Sequence, residues 1–149
     1  MTDTAEASKA KLTGCTCMRL RKASRRVSQI YDRSLEPAGM TVTQYGVLGY
    51  LARYDGVSVG MLAEKLVMDP TTLTRNLRPL ERKGFVANKP DRRDKRSRCL
   101  HLTASGLKAF ENAKPAWLRA QRHVEQAVGS LETPALNAAL DRVLQKLAE

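Results

Sequence analysis

Threonine and arginine side chains recur at helical spacing between residues 70 and 83, and they can hydrogen bond to bases and to phosphate. On a helix they share one side, and leucines occupy the other. The polar side holds Thr71, Arg75, Arg78 and Arg82, and the apolar side holds Leu73, Leu77 and Leu80. An arginine can donate to both acceptors of a guanine edge, and a threonine offers a hydroxyl and a methyl. The pattern predicts a recognition helix over residues 70–83 whose outer side suits the major groove of DNA.

A second polar group lies in a turn between two short segments that alternate as strands do, residues 85–89 and 98–102. In the second segment Leu100 and Leu102 are expected to face inward. The turn, residues 90–97, is strongly basic. A long arginine at such a tip can enter a narrow minor groove, where the negative potential is enhanced. We expect Arg96 to do so and Asp94 to orient it.

These groups need elements that position them. Ser58 can cap a first helix with apolar residues at helical spacing up to Leu66, and Asp69 with Pro70 can start the second. Pro79 predicts a bend or a tightened turn in that second helix. The order helix, helix, strand, turn, strand indicates a winged helix-turn-helix that binds DNA, and a protein-interaction scaffold is the alternative. The predicted DNA-contacting residues are Ser58, Pro70, Thr71, Thr72, Thr74, Arg75, Arg78, Arg93, Asp94, Lys95 and Arg96.

The flanking segments predict long amphipathic helices. One covers residues 16–38, and a capping box at residues 41–44 starts another that ends near Gly56. Apolar residues mark a further helix over residues 107–128, and Thr133 with Pro134 begins a final one. Their apolar stripes favour pairing with a second copy, with an intrachain bundle as the alternative. We expect one domain, mainly α with a small β-wing, with dimerisation helices at 12–38 and 107–148 flanking a DNA-binding region at 41–103.

Composition agrees with a phosphate-bearing partner. The 149 residues include 26 Lys and Arg against 15 Asp and Glu, a formal net charge of +11. Charge alone also fits RNA or an acidic membrane, but the few aromatic residues fall mostly on helix sides rather than on an exposed sheet. No apolar stretch approaches the roughly 20 residues that span a bilayer, and residues 1–13 are too polar for a signal peptide. These features predict a cytoplasmic protein.

The chain resembles the MarR family of bacterial transcription regulators from about Leu12 to Leu147. The matching segments are residues 39–45, 62–66, 72–77, 80–84, 94–96 and 102–106. The resemblance implies a dimeric repressor, or less often an activator, whose affinity for DNA falls when an effector binds or a cysteine is oxidised. It places Asp94 and Arg96 at the family's wing pair. It also places Thr71, Thr72, Arg75 and Arg78 at groove-facing positions. Arg92 departs from the pattern, since many members have proline there.

The same resemblance bears on the three cysteines. Cys17 lies 28 residues before Tyr45, a spacing similar to that of the sensing cysteine in the organic-hydroperoxide branch of the family. Tyr31 matches one tyrosine that supports the thiol there, whereas Val42 and Arg21 replace two others. A thiol at a helix N-terminus beside arginines suits attack on a peroxide. Cys15 is then a candidate resolving thiol, and a structural role for Cys17 is the alternative.

If thiol chemistry is not the input, the resemblance implies a small-molecule effector, commonly aromatic or carboxylate-bearing. Arg19, Arg25 and Arg26 are the candidates for an anionic effector, although the same arginines could form a solvated face or touch DNA phosphate. No cofactor and no metal are expected, because Cys15 and Cys17 lack further ligands at a recognisable spacing. No catalytic residues are proposed, and a non-specific architectural DNA binder remains an alternative to an operator-specific regulator.

Overall fold

The computed structural model describes residues 14–148, which form helices around a small antiparallel sheet. The elements are α1 (Thr16–Leu35), a 3₁₀ turn (Glu36–Ala38), α2 (Val42–Arg53), β1 (Val57–Ser58), α3 (Val59–Lys65), α4 (Pro70–Arg82), β2 (Val86–Pro90), β3 (Arg98–Leu102), α5 (Ala104–Val128) and α6 (Glu132–Lys146). The predicted class, mainly helical with a β-wing, is confirmed. The predicted dimerisation segment begins at residue 12, so its first two residues lie outside the described range, as do the expectations for residues 1–11.

Side-chain caps start the helices where the residue types predicted. Thr41 and Gln44 form a reciprocal capping box at α2, and the Ser58 hydroxyl accepts the Met61 N–H at 3.1 Å. Asp69 Oδ1 accepts the N–H groups of Thr71 and Thr72 at 2.8 and 3.2 Å. These bonds satisfy amides that have no partner within the helix. Local side-chain chemistry therefore determines where α2, α3 and α4 begin.

Several predicted ends shift. The first helix stops at Leu35 and tightens into the 3₁₀ turn at Pro37, a residue that has no N–H to donate to the α-helical ladder. The second stops at Arg53, ahead of Gly56. The recognition helix ends at Arg82 with Lys83 as its cap, and it runs through Pro79 without interruption.

The sheet has three strands in the order β1-β3-β2, one more than predicted. The additional strand, β1, pairs only Val57 with Leu100 and Ser58 with Cys99, so it is too short to show an alternating pattern. The first predicted wing strand was placed one residue early. Phe85 donates its N–H to the carbonyl of Leu80 at the end of α4 and accepts the Thr103 N–H at 3.1 Å, so it links the helix to the strand that begins at Val86.

One core joins the wing, the two short helices and the long helices. Its fully buried members include Leu35, Leu48, Leu51, Leu62, Leu73, Leu80 and Leu100. Tyr45 of α2 stacks on Phe110 and Trp117 of α5, with ring centroids 4.7 and 5.9 Å apart. Because α2 also packs on α4, this aromatic stack links the recognition helix to the long helix α5.

Candidate nucleic-acid interface

The outer side of α4 presents the predicted threonine and arginine side chains to solvent. Thr71, Arg75, Arg78 and Arg82 are exposed, whereas Leu73, Leu77 and Leu80 are no more than 2% exposed. The hydroxyl of Thr74 donates to the carbonyl of Pro70 at 2.8 Å, and Ser58 is occupied by its capping bond. The arginines of α4 are therefore its freest groups. We call this exposed row, Thr71, Arg75, Arg78 and Arg82, the recognition surface.

The wing tip is closed by its own hydrogen bonds. The Asp91 N–H donates to the Ser97 carbonyl at 2.8 Å, and the Ser97 N–H donates to the Asp94 carbonyl at 2.9 Å. Asp91 and Asp94 each accept an N–H two residues ahead, from Arg93 and Arg96, at 3.0 Å. Asp94 thus acts on Arg96 through the backbone of the turn rather than through its guanidinium group. Arg93, Lys95 and Arg96 all extend into solvent.

Arg98, which was not among the predicted site residues, braces the wing hairpin. Its Nε donates to Asn88 Oδ1 at 2.9 Å, and its Nη2 donates to the Asn88 carbonyl at 2.7 Å. The sequence predicts Arg98 only as the first residue of a strand, and no pattern in it indicates this contact. The two bonds hold its guanidinium on the hairpin, unlike the cations of the tip.

A carboxylate clasp joins the loop after α2 to β3. Asp55 accepts the Leu102 N–H at 2.9 Å through Oδ1 and lies 3.0 Å from His101 Nδ1 through Oδ2. Partial burial pushes the pKa of Asp55 upward, but the hydrogen bonds to His101 and Leu102 and the charge of His101 outweigh it, so the pKa is lowered overall. The partners are 46 residues apart in sequence, and no local pattern indicates the clasp.

Two contacts connect the DNA-binding region to the loop between α1 and α2. The Lys83 ammonium donates to the carbonyl of Gly39, which adopts a left-handed conformation with φ of 71°. Asp32 Oδ1 accepts the Val42 N–H at 2.8 Å, which ties α1 to the first turn of α2. The end of the recognition helix and the start of α2 are therefore both held against the end of α1.

The predicted thiol site is not assembled within one chain. Cys17 is exposed in the first turn of α1 and Cys15 is half-buried just before it. Tyr31 lies 14 residues along the same helix, about 21 Å away at 1.5 Å per residue. Its hydroxyl donates to Gln121 Oε1, and burial together with the negative charge of Glu125 raises its pKa. The third cysteine, Cys99, is half-buried on the wing, where burial and the nearby Asp91 raise its pKa.

The effector candidates Arg19, Arg25 and Arg26 are exposed on α1. None of them lines either of two clefts in the described region. A cleft of about 680 Å³ lies between α5 and α6 and includes Arg122 and Thr133. A second, about 400 Å³, lies at the end of α1 beside Asp32 and Thr41. Within residues 14–148, neither of these two clefts therefore brings the three arginines together.

Within 14–148, no three His, Cys, Asp or Glu side chains are grouped closely enough to hold a metal ion. None of the helices in this part of the chain has the length and apolar character that crossing a membrane requires.

The two short helices, the three-stranded wing and the basic surfaces at α4 and the wing tip define a winged helix-turn-helix protein. A family model described as the MarR family matches residues 38–97, from the α1–α2 loop to the end of the wing tip. This match and the similarity to known transcriptional regulators identify the family. The chain belongs to the MarR family of transcriptional regulators.

Three comparisons illustrate the relationship. The transcriptional activatory protein BadR of Rhodopseudomonas palustris is 37% identical over 113 residues, which are 74% of this chain and 65% of BadR, so the match spans just under two thirds of that relative. The organic hydroperoxide resistance transcriptional regulator of Bacillus subtilis is 31% identical, with 69% and 70% of the two chains covered. The Mycobacterium tuberculosis regulator MosR, in its crystal structure with DNA, is 33% identical in sequence. The match covers 89% of this chain and 95% of MosR, and the two structures superpose with a TM-score of 0.78.

Proposed function

We propose that this protein is a sequence-specific, double-stranded DNA-binding repressor that acts as a homodimer on a pseudo-palindromic operator and is released by a small-molecule effector. The observation that carries the proposal is the recognition surface on α4. Within residues 14–148 its arginines form no ion pair with a carboxylate, so their donors are free for base edges and phosphates. The solved complex of MosR with DNA supports this use of the shared fold.

Dimerisation is supported by apolar side chains that the described chain leaves in water on its terminal helices. They are Leu20, Val27, Val128, Leu131, Leu136, Val143, Leu144 and Leu147. Along α6 the buried residue is Thr133, so this helix buries little of its apolar side in its own chain. A second copy related by a two-fold axis would cover these side chains. It would also set two recognition helices about one helical turn of DNA apart, roughly 34–36 Å.

Release by an effector follows from the same arrangement. An effector that binds more tightly to a dimer with wrongly spaced recognition helices lowers operator affinity by that difference in binding free energy. Arg19, Arg25 and Arg26 remain candidates for an anionic effector, and a cavity for it would have to be completed by the second copy.

Thiol-based peroxide sensing is a second candidate. It is favoured by the similarity to the Bacillus subtilis organic hydroperoxide regulator and by the exposure of Cys17 in the first turn of α1. Since Tyr31 lies far along the same helix, a supporting tyrosine would come from the second copy. Cys15 remains the candidate resolving thiol.

Fluorescence anisotropy with DNA from upstream of the protein's own gene tests both candidates, with random duplex at the same salt as the control. Tighter binding to the upstream DNA is expected. Equal binding to both duplexes would favour an architectural DNA-binding protein instead. If an organic hydroperoxide releases the upstream DNA and Cys17→Ser resists release, Cys17 is the switch. If treated protein binds unchanged, the thiol candidate is wrong and aromatic acids should be screened as effectors.

A further inference from the structure

Helix α1 carries a second concentration of positive charge that the recognition surface does not explain. Its 20 residues hold six basic side chains and one acidic side chain, a net charge of +5. The region from Ser58 to Arg98, which contains α3, α4 and the wing, holds 11 basic and five acidic side chains, a net charge of +6. Nearly as much excess charge therefore lies on α1 as on the whole DNA-binding region.

The charge on α1 is arranged as a stripe. Arg19, Lys22, Arg26 and Arg33 fall within about 60° of one another on a helix with 100° per residue, and we call them the α1 stripe. All four are exposed, and the stripe extends about 21 Å at 1.5 Å per residue. In the described part of the chain none of them forms an ion pair with a carboxylate. Repulsion among these cations is thus uncompensated by neighbouring side chains of that region.

The stripe and the recognition surface point away from a shared core. Leu35 of α1 and Leu73 of α4 belong to the same buried cluster. Helix α1 packs on α5 and α2, whereas α4 packs on α3, α2 and β2. Both helices turn their charged sides away from this cluster, and no residue of the α1 stripe belongs to the recognition surface.

The chemistry of the stripe favours nucleic acid over a membrane. A helix that lies on a bilayer needs its apolar side free to enter the lipid. The apolar side of α1 is used at its C-terminal end within the chain, since Leu35 is fully buried and the Tyr31 ring lies 6.3 Å from that of Trp117. Its remaining apolar residues, Leu20 and Val27, are those assigned above to the contact with a second copy. What remains outward is a row of cations, and double-stranded DNA offers roughly one negative charge per 1.7 Å of its axis together with the gain from released counterions.

We propose that the α1 stripe is a second DNA-binding surface, which holds the phosphate backbone of another duplex segment while the recognition surface holds the operator. This inference rests on the proposed function, because it assigns the regulator a DNA-bridging activity. A protein already bound to an operator meets neighbouring DNA at high effective concentration, so a few phosphate contacts are enough for capture. The contacts carry no sequence information and weaken steeply with salt.

The test is capture of a second duplex. Duplex from upstream of the protein's own gene is fixed to beads and loaded with protein, and a labelled random duplex is then added at low salt. The parent protein is expected to retain the label. A double variant, Lys22→Gln and Arg33→Gln, changes the two stripe residues that are not effector candidates. It should lose retention by at least about tenfold while its affinity for the fixed duplex stays unchanged.

A matched variant, Lys108→Gln and Arg119→Gln, removes the same charge from exposed positions of α5 and should retain the label. The inference is overturned if the α1 variant captures as well as the parent, or if both variants lose capture equally. It is also overturned if the α1 variant loses affinity for the fixed duplex, because the stripe then belongs to operator binding. Failure of the parent to bind the fixed duplex would instead contradict the proposed function. Binding there without capture of a second duplex rejects the bridging role alone and leaves an acidic protein to be tested.

Discussion

Single arginines in this protein differ in what their neighbours leave free. Arg98 is held by two hydrogen bonds to Asn88, so its guanidinium acts on the hairpin. Arg75 stands in the middle of the exposed row on α4, and Arg96 stands on a tip whose turn is closed by Asp94. Charge count alone would treat these three side chains as equivalent. The surroundings of Arg75 and Arg96 predict two separate effects on DNA binding.

Arg75→Ala is expected to weaken binding to the preferred sequence by about 1–3 kcal/mol while changing the affinity for random duplex far less, because its guanidinium contributes base contacts. Anisotropy titrations on both duplexes measure the difference. Lys108→Ala, which removes a cation from exposed α5, serves as the control and should leave the preference intact. Equal losses on the two duplexes would contradict direct base recognition by Arg75.

Arg96→Ala is expected to lower affinity on operator and random duplex more evenly, since a wing-tip cation contacts the backbone of a narrow minor groove. The slope of log affinity against log salt should decrease by about one. Lys146→Ala at the end of α6 removes the same charge away from the wing and should leave the slope unchanged. An unaltered slope for Arg96→Ala would show that the wing tip does not engage phosphate.

At the scale of elements, two loops hold the helix-turn-helix and the wing in place. The turn between α3 and α4 contains Val67, which has a φ of 51° and is 77% exposed. A branched side chain in this left-handed conformation is strained. The wing is held from outside the hairpin by the Asp55 clasp to β3. The strained turn at Val67 therefore lowers the stability of the fold, and the Asp55 clasp raises it.

Val67→Gly is expected to raise the free energy of unfolding by about 0.5–1 kcal/mol. Glycine adopts the positive φ without steric cost, although its greater freedom in the unfolded chain offsets part of the gain. Urea unfolding followed by circular dichroism gives the value. Val67→Ala, which keeps a Cβ, should gain less. A loss of stability in Val67→Gly would show that the valine side chain makes a contact worth more than the strain.

Asp55→Asn is expected to destabilise the protein at pH 7 by at most about 1 kcal/mol, because the pair is more than one-third exposed and is screened by solvent. The pKa of Asp55 is lowered in the folded state, so its stabilisation is present above the ordinary carboxyl value and is lost as pH falls through the folded value. The difference from the parent should therefore shrink below about pH 4. Urea unfolding across pH tests this, with Asp141→Asn on α6 as the control. A difference that does not vary with pH would exclude an ionic contribution.

At the scale of the whole molecule, the terminal helices decide whether two recognition surfaces work together. Leu136 is 45% exposed and Leu144 is 58% exposed, and both lie on the same side of α6. Burial against a second copy would remove these apolar side chains from water and so stabilise a dimer. The contacts of Lys83 with Gly39 and of Asp32 with Val42 would then transmit the position of α1 to the recognition helix.

Leu136→Asp together with Leu144→Asp is expected to weaken dimerisation by more than about 100-fold, because a carboxylate would be buried at the interface without a partner. Sedimentation equilibrium measures the association, and operator affinity should fall with it. Gln145→Asp, on the opposite side of α6, is the control and should remain dimeric. A double variant that stays dimeric would place the interface elsewhere.

Local chemistry made much of the fold predictable. The caps at Thr41, Ser58 and Asp69 are formed as their residue types require, and the leucines of α4 are buried as their spacing requires. The pairing of Val57 with Leu100 was missed, because a two-residue strand has no pattern of its own. Phe85 was predicted as the first strand residue after Gly84, whereas its N–H completes the end of α4.

The sequence by itself determined which side chains α4 and the wing tip present, because helical periodicity and turn chemistry act over a few residues. It also determined the surplus of positive charge. Only the tertiary structure decided which cations are free, that Arg98 serves the hairpin, and that Asp55 clasps β3. Such contacts depend on where distant segments meet once one core has formed, and no local spacing encodes that meeting.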